Sequence, residues 1–101
     1  MLQDIYSQAQ RQITTEKFYT LPTVRQKELL DSLYKTIILG LRALVLKHIS
    51  IDHKDEIEII INKQDDDALF LLGRQKIQDF EHKLQQMIDN IALSFTYDIS
   101  N

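Results

Sequence analysis

The sequence has no cysteine, a single proline and only two glycines. Without a thiol there is no disulfide framework, no thiolate nucleophile and no sulfur-ligated zinc or iron–sulfur centre, and a reducing cytoplasm is a compatible setting. The shortage of turn-forming residues argues against a hairpin-rich β fold, in which each tight reversal favours a residue that tolerates special backbone angles. Long hydrophobic runs are also lacking. The longest apolar stretch, residues 37–49, holds Arg42 and Lys47 and is shorter than the roughly 20 residues a membrane-spanning helix needs. The start, Met1-Leu2-Gln3-Asp4-Ile5, is acidic and polar where a secretory signal is basic and then apolar, so no export signal is expected and the expected location is the cytoplasm. Neither sign of charge dominates. A net charge of −3 with interspersed signs gives no electrostatic footprint for a phosphate backbone or an anionic lipid surface, and neither nucleic acid nor membrane is expected as a partner.

What remains is a chain of 101 residues, 44% hydrophobic and 27% charged. That is enough apolar material for one buried core and too little length for two, so a single helical domain over residues 1–101 is expected. Leu2, Ile5, Tyr6, Ala9 and Ile13 recur at helical steps and predict a first amphipathic helix. The period is lost over residues 14–21, and Pro22 then sets a turn or the first turn of a second helix. Thr23 and Gln26 have the spacing of a capping box. Leu30, Leu33, Ile37, Leu41, Leu44 and His48 mark one stripe of this second helix, which runs to the cap-type residue Ser50.

Ser50 and Asp52, followed by Asp55 and Glu56, predict a third and shorter helix. Ile57, Ile59 and Ile61 alternate as a strand would, but helix is preferred because no second strand is available to pair with them. The aspartates in residues 62–67 are expected to cap the segment 68–72, with a break near Gly73. Ile77, Phe80, Leu84, Met87, Ile88, Ile91 and Phe95 then predict a final helix. The expected fold is an all-α bundle of four or five helices, with the long second helix as its spine and the last helix laid along it.

Leu21-Pro22, the charged start Lys27-Glu28-Leu29-Leu30, the long apolar helix, the Ser50-Ile51-Asp52 restart and the Asp65-Asp66-Asp67 connection together give a pattern spanning residues 21–95. It resembles that of a family of small, uncharacterised helical domains encoded by candidate-phylum bacteria. The resemblance implies a bacterial helical protein and lends no activity. Where that family carries a proline near the start of its last helix, this chain has Gly73-Arg74-Gln75.

Residues with chemical potential do not form a known catalytic pattern. His48 and His53 miss the four-residue step that puts two metal ligands on one helix face, and His48 is expected instead to bond a carbonyl near its helix end. Asp65-Asp66-Asp67 lacks the alternating ligands and glycine of a calcium loop, which leaves helix capping as its expected role. Ser7, Ser32, Ser50 and Ser94 lie in no nucleophile-elbow setting, no glycine-rich phosphate loop is present, and nothing places two acids in one apolar pocket. The expectation is a non-catalytic protein with no cofactor and no metal.

One feature departs from an ordinary bundle helix. Leu39 and Leu46 lie opposite the stripe of the second helix, and with Ile38, Val45 and Ile49 on its flank the C-terminal half of that helix is apolar nearly all round. Lys35 and Arg42 alternate with the two leucines, and their long stems partly shelter apolar neighbours while the charges stay wet. Two accounts compete. Either the first and last helices cover the two sides, or Leu39, Leu46, Arg42 and Lys35 form an interaction surface for another chain, most simply a second copy about a two-fold axis. The functional expectation is therefore a protein-interaction module, as a homodimer in its simplest form. The alternatives are a small inhibitor or immunity-type protein and a ligand- or metal-binding helical domain.

Overall fold

The computed structural model describes residues 2–100, and among them the chain is an all-α bundle of six helices: α1 (Leu2–Ile13), α2 (Glu16–Tyr19), α3 (Thr23–His48), α4 (Lys54–Asn62), α5 (Asp66–Lys76) and α6 (Phe80–Ser100). A 3-10 turn, Ile51–His53, joins α3 to α4. The helix beyond the expected five is α2, which is too short for any period to reveal. It exists because Phe18 is drawn into the interior at 2% exposure.

The stripe of α1 is buried as its spacing requires, through Leu2, Ile5, Ala9 and Ile13. This face packs on both α3 and α6. Gln8 donates to Gln85 at 3.0 Å and Gln12 to the Asp89 carboxylate at 3.2 Å. Both pairs have the same sequence offset, so α1 and α6 run parallel.

On α3 the buried line is Leu29, Leu33, Ile37, Leu41 and Val45, continued by Ile49 just past the helix. Each step is four residues. Because 3.6 residues complete a turn, such a row winds slowly around the helix instead of running straight along it. That winding corrects the sequence-derived stripe at its end: Leu44 is half-buried and His48 is exposed, while Val45 and Ile49 are buried in their place. One rod thereby serves different neighbours along its length, packing on α1, α6, α5 and α4.

The capping box at Thr23 does not form. Pro22 is the cap residue and Thr23 already lies inside the helix. The Gln26 side-chain amide instead donates to the Leu21 carbonyl at 2.9 Å and, at 3.4 Å, to that of Tyr19, tying α3 back to the preceding turn.

Residues 54–62 are helix and not strand. Asp55 and Glu56 occupy the first turn, Ile57 is fully buried, and Ile59 faces solvent. Of the three aspartates that follow, Asp65 caps α5 by accepting from the Ala68 amide at 3.1 Å. Asp66 receives two hydrogen bonds from Arg42 on α3, and Asp67 accepts from the Leu2 amide of α1 at 3.3 Å. Capping is thus one of three tasks in this triplet, and the other two fasten α3 and α1 to the start of α5.

The break in residues 66–96 lies later than expected. Gly73 sits inside α5, and the helix ends at Lys76, where Ile77 turns extended and Asp79 takes a left-handed φ of 59°. The glycine is used for space. A Cβ on Gly73 would stand 2.6 Å from Cε1 of Phe80, which folds back over it and meets Phe70 edge-on with centroids 5.6 Å apart.

Candidate functional site

Between residues 35 and 47 the outward side of α3 presents Lys35, Leu39, Ala43, Leu46 and Lys47, all exposed. Leu39 is 62% and Leu46 41% exposed. Both lie on the side of the helix opposite the winding row of buried residues. The two accounts of this helix therefore resolve unequally. Its inner side is fully covered by the rest of the chain, and its outer leucines are not.

Two neighbours define the edges of the face. Along one edge, Gly40 allows α6 to come close, since a Cβ there would lie 2.9 Å from the Met87 sulfur and 3.3 Å from Cδ1 of Ile91. Along the other, the Arg42 guanidinium meets both Asp66 carboxylate oxygens, Nε to Oδ1 at 3.0 Å and Nη2 to Oδ2 at 3.2 Å. This fork-to-fork pair, with side chains 25% and 12% exposed, orients Arg42 towards α5. Of the four residues marked out in the sequence, the structure thus places Leu39, Leu46 and Lys35 on the open face and turns Arg42 into its border. Ala43 completes the face. Its spacing of four from Leu39 and three from Leu46 was readable, but alanine attracts no notice in a search for large apolar side chains.

The surface also carries two clefts. One, of about 310 Å³, lies between α1, α5 and α6, and its charged lining includes Asp4, Arg74 and Glu81. There Arg74 donates to Glu81 at 2.7 Å and stacks over the Phe70 ring at 4.9 Å. The other, of about 380 Å³, is an open groove lined by Gln3, Tyr6, Leu30, Asp31, Tyr34 and Lys35. Tyr6 and Tyr34 meet edge-on there, and the Tyr6 hydroxyl points to the Leu30 carbonyl at 3.4 Å. Partial burial, reinforced by the negative charge of Asp31, raises the Tyr6 pKa above the usual 10.0.

The histidines do not converge. His48 and His82 are exposed, and His53 is paired with Glu56 in the next turn at 3.6 Å. Among the described residues no group of three or more His, Asp and Glu side chains is arranged to hold a metal ion, and no helix is long and apolar enough to cross a membrane. Compared with models of known protein families, with curated proteins and with solved structures, the chain matches none.

Proposed function

We propose that this chain is a non-catalytic protein-interaction module that docks through the outward face of α3. The observation that carries this reading is the bare state of Leu39 and Leu46 on a helix whose opposite side is completely buried. Fully covering a leucine contributes about 1.5–3 kcal/mol. Leu39 retains most of that potential and Leu46, already more than half covered, a smaller share. The intramolecular core does not need either residue, since it closes around Leu33, Ile37, Leu41 and Val45 without them. A non-catalytic role fits the clefts, where Arg74 is paired with Glu81 and the tyrosines contact each other.

The test is site-specific photocrosslinking. A photoreactive benzophenone amino acid is placed at position 39 and, as a control, at the exposed Gln75 of α5, in the cells that make the protein. A discrete protein adduct at position 39, weakened by Leu46→Glu and not formed from position 75, supports the reading. An equal yield from both positions, or no adduct from position 39, rejects it.

A further inference from the structure

We infer that the occupant of this face is an acidic amphipathic helix of a different protein; the inference rests on the docking role proposed above and names the chemistry of the partner. Shape points to a helix. Leu39, Arg42, Ala43 and Leu46 stand at positions i, i+3, i+4 and i+7, the four corners of the hole that receives one side chain of a facing helix. The hole is open because Ala43 is small and Arg42 is drawn towards α5 by Asp66. From Lys35 to Lys47 the face is about 18 Å long at 1.5 Å per residue, the length of about three turns of a single helix.

Charge sets the sign of the partner. The chain carries 15 acidic residues and a net charge of −3, yet no Asp or Glu falls within residues 32–51, whose Lys and Arg are Lys35, Arg42 and Lys47. Arg42 is answered by Asp66, whereas Lys35 and Lys47 are exposed and, among the described residues, neither pairs with a carboxylate. One lysine therefore stands free at each end of the apolar strip. A helix that seats an apolar side chain between Leu39 and Leu46 and carries carboxylates towards both ends meets both lysines with opposite charge. A second copy set face to face brings only the same basic strip. Two free lysines are also too few for an anionic membrane, where clusters of about four to eight basic residues are the recognised pattern.

The test keeps the benzophenone at position 39 of the full chain, in the cells that make the protein, and reverses both lysines in Lys35→Glu/Lys47→Glu. Both side chains are exposed, so the helical circular dichroism should be unchanged, and Lys35→Arg/Lys47→Arg is the control that keeps the charge. Reversal turns two attractions into repulsions and should lower the adduct yield about tenfold, while the arginine control retains it. Mass spectrometry of the crosslinked peptide should place the adduct on a helix-forming segment richer in Asp and Glu than in Lys and Arg. Exchanging the acidic residues of that segment for lysine should restore the adduct to the reversed variant. A position-39 adduct that is insensitive to reversal, is lost equally in the arginine control, or maps to a neutral or basic segment or to a second copy of this chain overturns the acidic partner and leaves the docking role standing. Absence of any protein adduct from position 39 removes both.

Discussion

Gly73 and Phe80 are in mutual contact so close that no other residue fits at the first position: an added methyl would lie 2.6 Å from the ring. The ring belongs to the buried interior at 3% exposure and leans on Phe70, so it has little room to retreat. Gly73→Ala should therefore destabilise the fold by about 1–2 kcal/mol in urea unfolding, the overpacking outweighing the gain in helix propensity. Adding Phe80→Leu should make the alanine less costly than it is in the parent. Gly40→Ala is the contrasting case, because its nearest neighbour is the flexible Met87 thioether, and it should be neutral or stabilising by up to about 1 kcal/mol. Similar losses at both glycines would show that packing against Phe80 is not what decides the difference.

The ion pair between Arg42 and Asp66 joins α3 to the start of α5 across 24 positions of sequence. It is bidentate but partly wet, which lowers its worth by screening. A double-mutant cycle with Arg42→Met and Asp66→Asn should yield a coupling of about 1 kcal/mol that shrinks in 1 M salt. A coupling indistinguishable from zero would reduce the pair to a surface decoration.

Gln64, between α4 and α5, holds a left-handed backbone with φ of 57°. That conformation costs a residue bearing a Cβ roughly 1 kcal/mol, and glycine adopts it freely. Gln64→Gly should raise the midpoint of thermal unfolding, with a net gain of about 0.5 kcal/mol after the added freedom of the unfolded chain is counted. A lower midpoint would place the value of Gln64 in its side chain.

The Tyr6 pKa is raised because the fold partly buries the phenol and Asp31 stands near. A raised pKa means that the native state favours the neutral phenol, so this contribution to stability is complete below pH 10 and is lost as pH climbs through the higher folded-state value. Tyr6→Phe should remove one step from the alkaline unfolding curve, and the 295 nm absorbance titration of the parent should lose its latest-ionising component in that variant. An unchanged high-pH limb in Tyr6→Phe would contradict this.

Much of the architecture was written in side-chain spacing. Ile5, Ala9 and Ile13 on α1, and Leu84 and Ile88 on α6, are buried as their periods require. The readings that missed did so where spacing carries no information. A straight stripe puts His48 inward, whereas the buried row on α3 advances in fours and turns inward at Val45 and Ile49 instead. Backbone character alone marks Gly73 as a breaker, but its role depends on a ring seven residues away. Thr23 has the right chemistry for a cap and sits one position too late to act as one. The outward face of α3 was visible because Leu39 and Leu46 violate the stripe, while the engagement of Arg42 by Asp66 was not, since nothing in a linear reading joins positions 24 residues apart.

The parallel seating of α1 along α6 has a consequence for how the molecule comes into being. A nascent chain makes Ile5, Ala9 and Ile13 well before α6, so until residue 80 is passed only α3 and α5 are there to cover part of that face. A chain interrupted before residue 80 is therefore left with a half-dressed α1, the kind of species on which chaperones and proteases act.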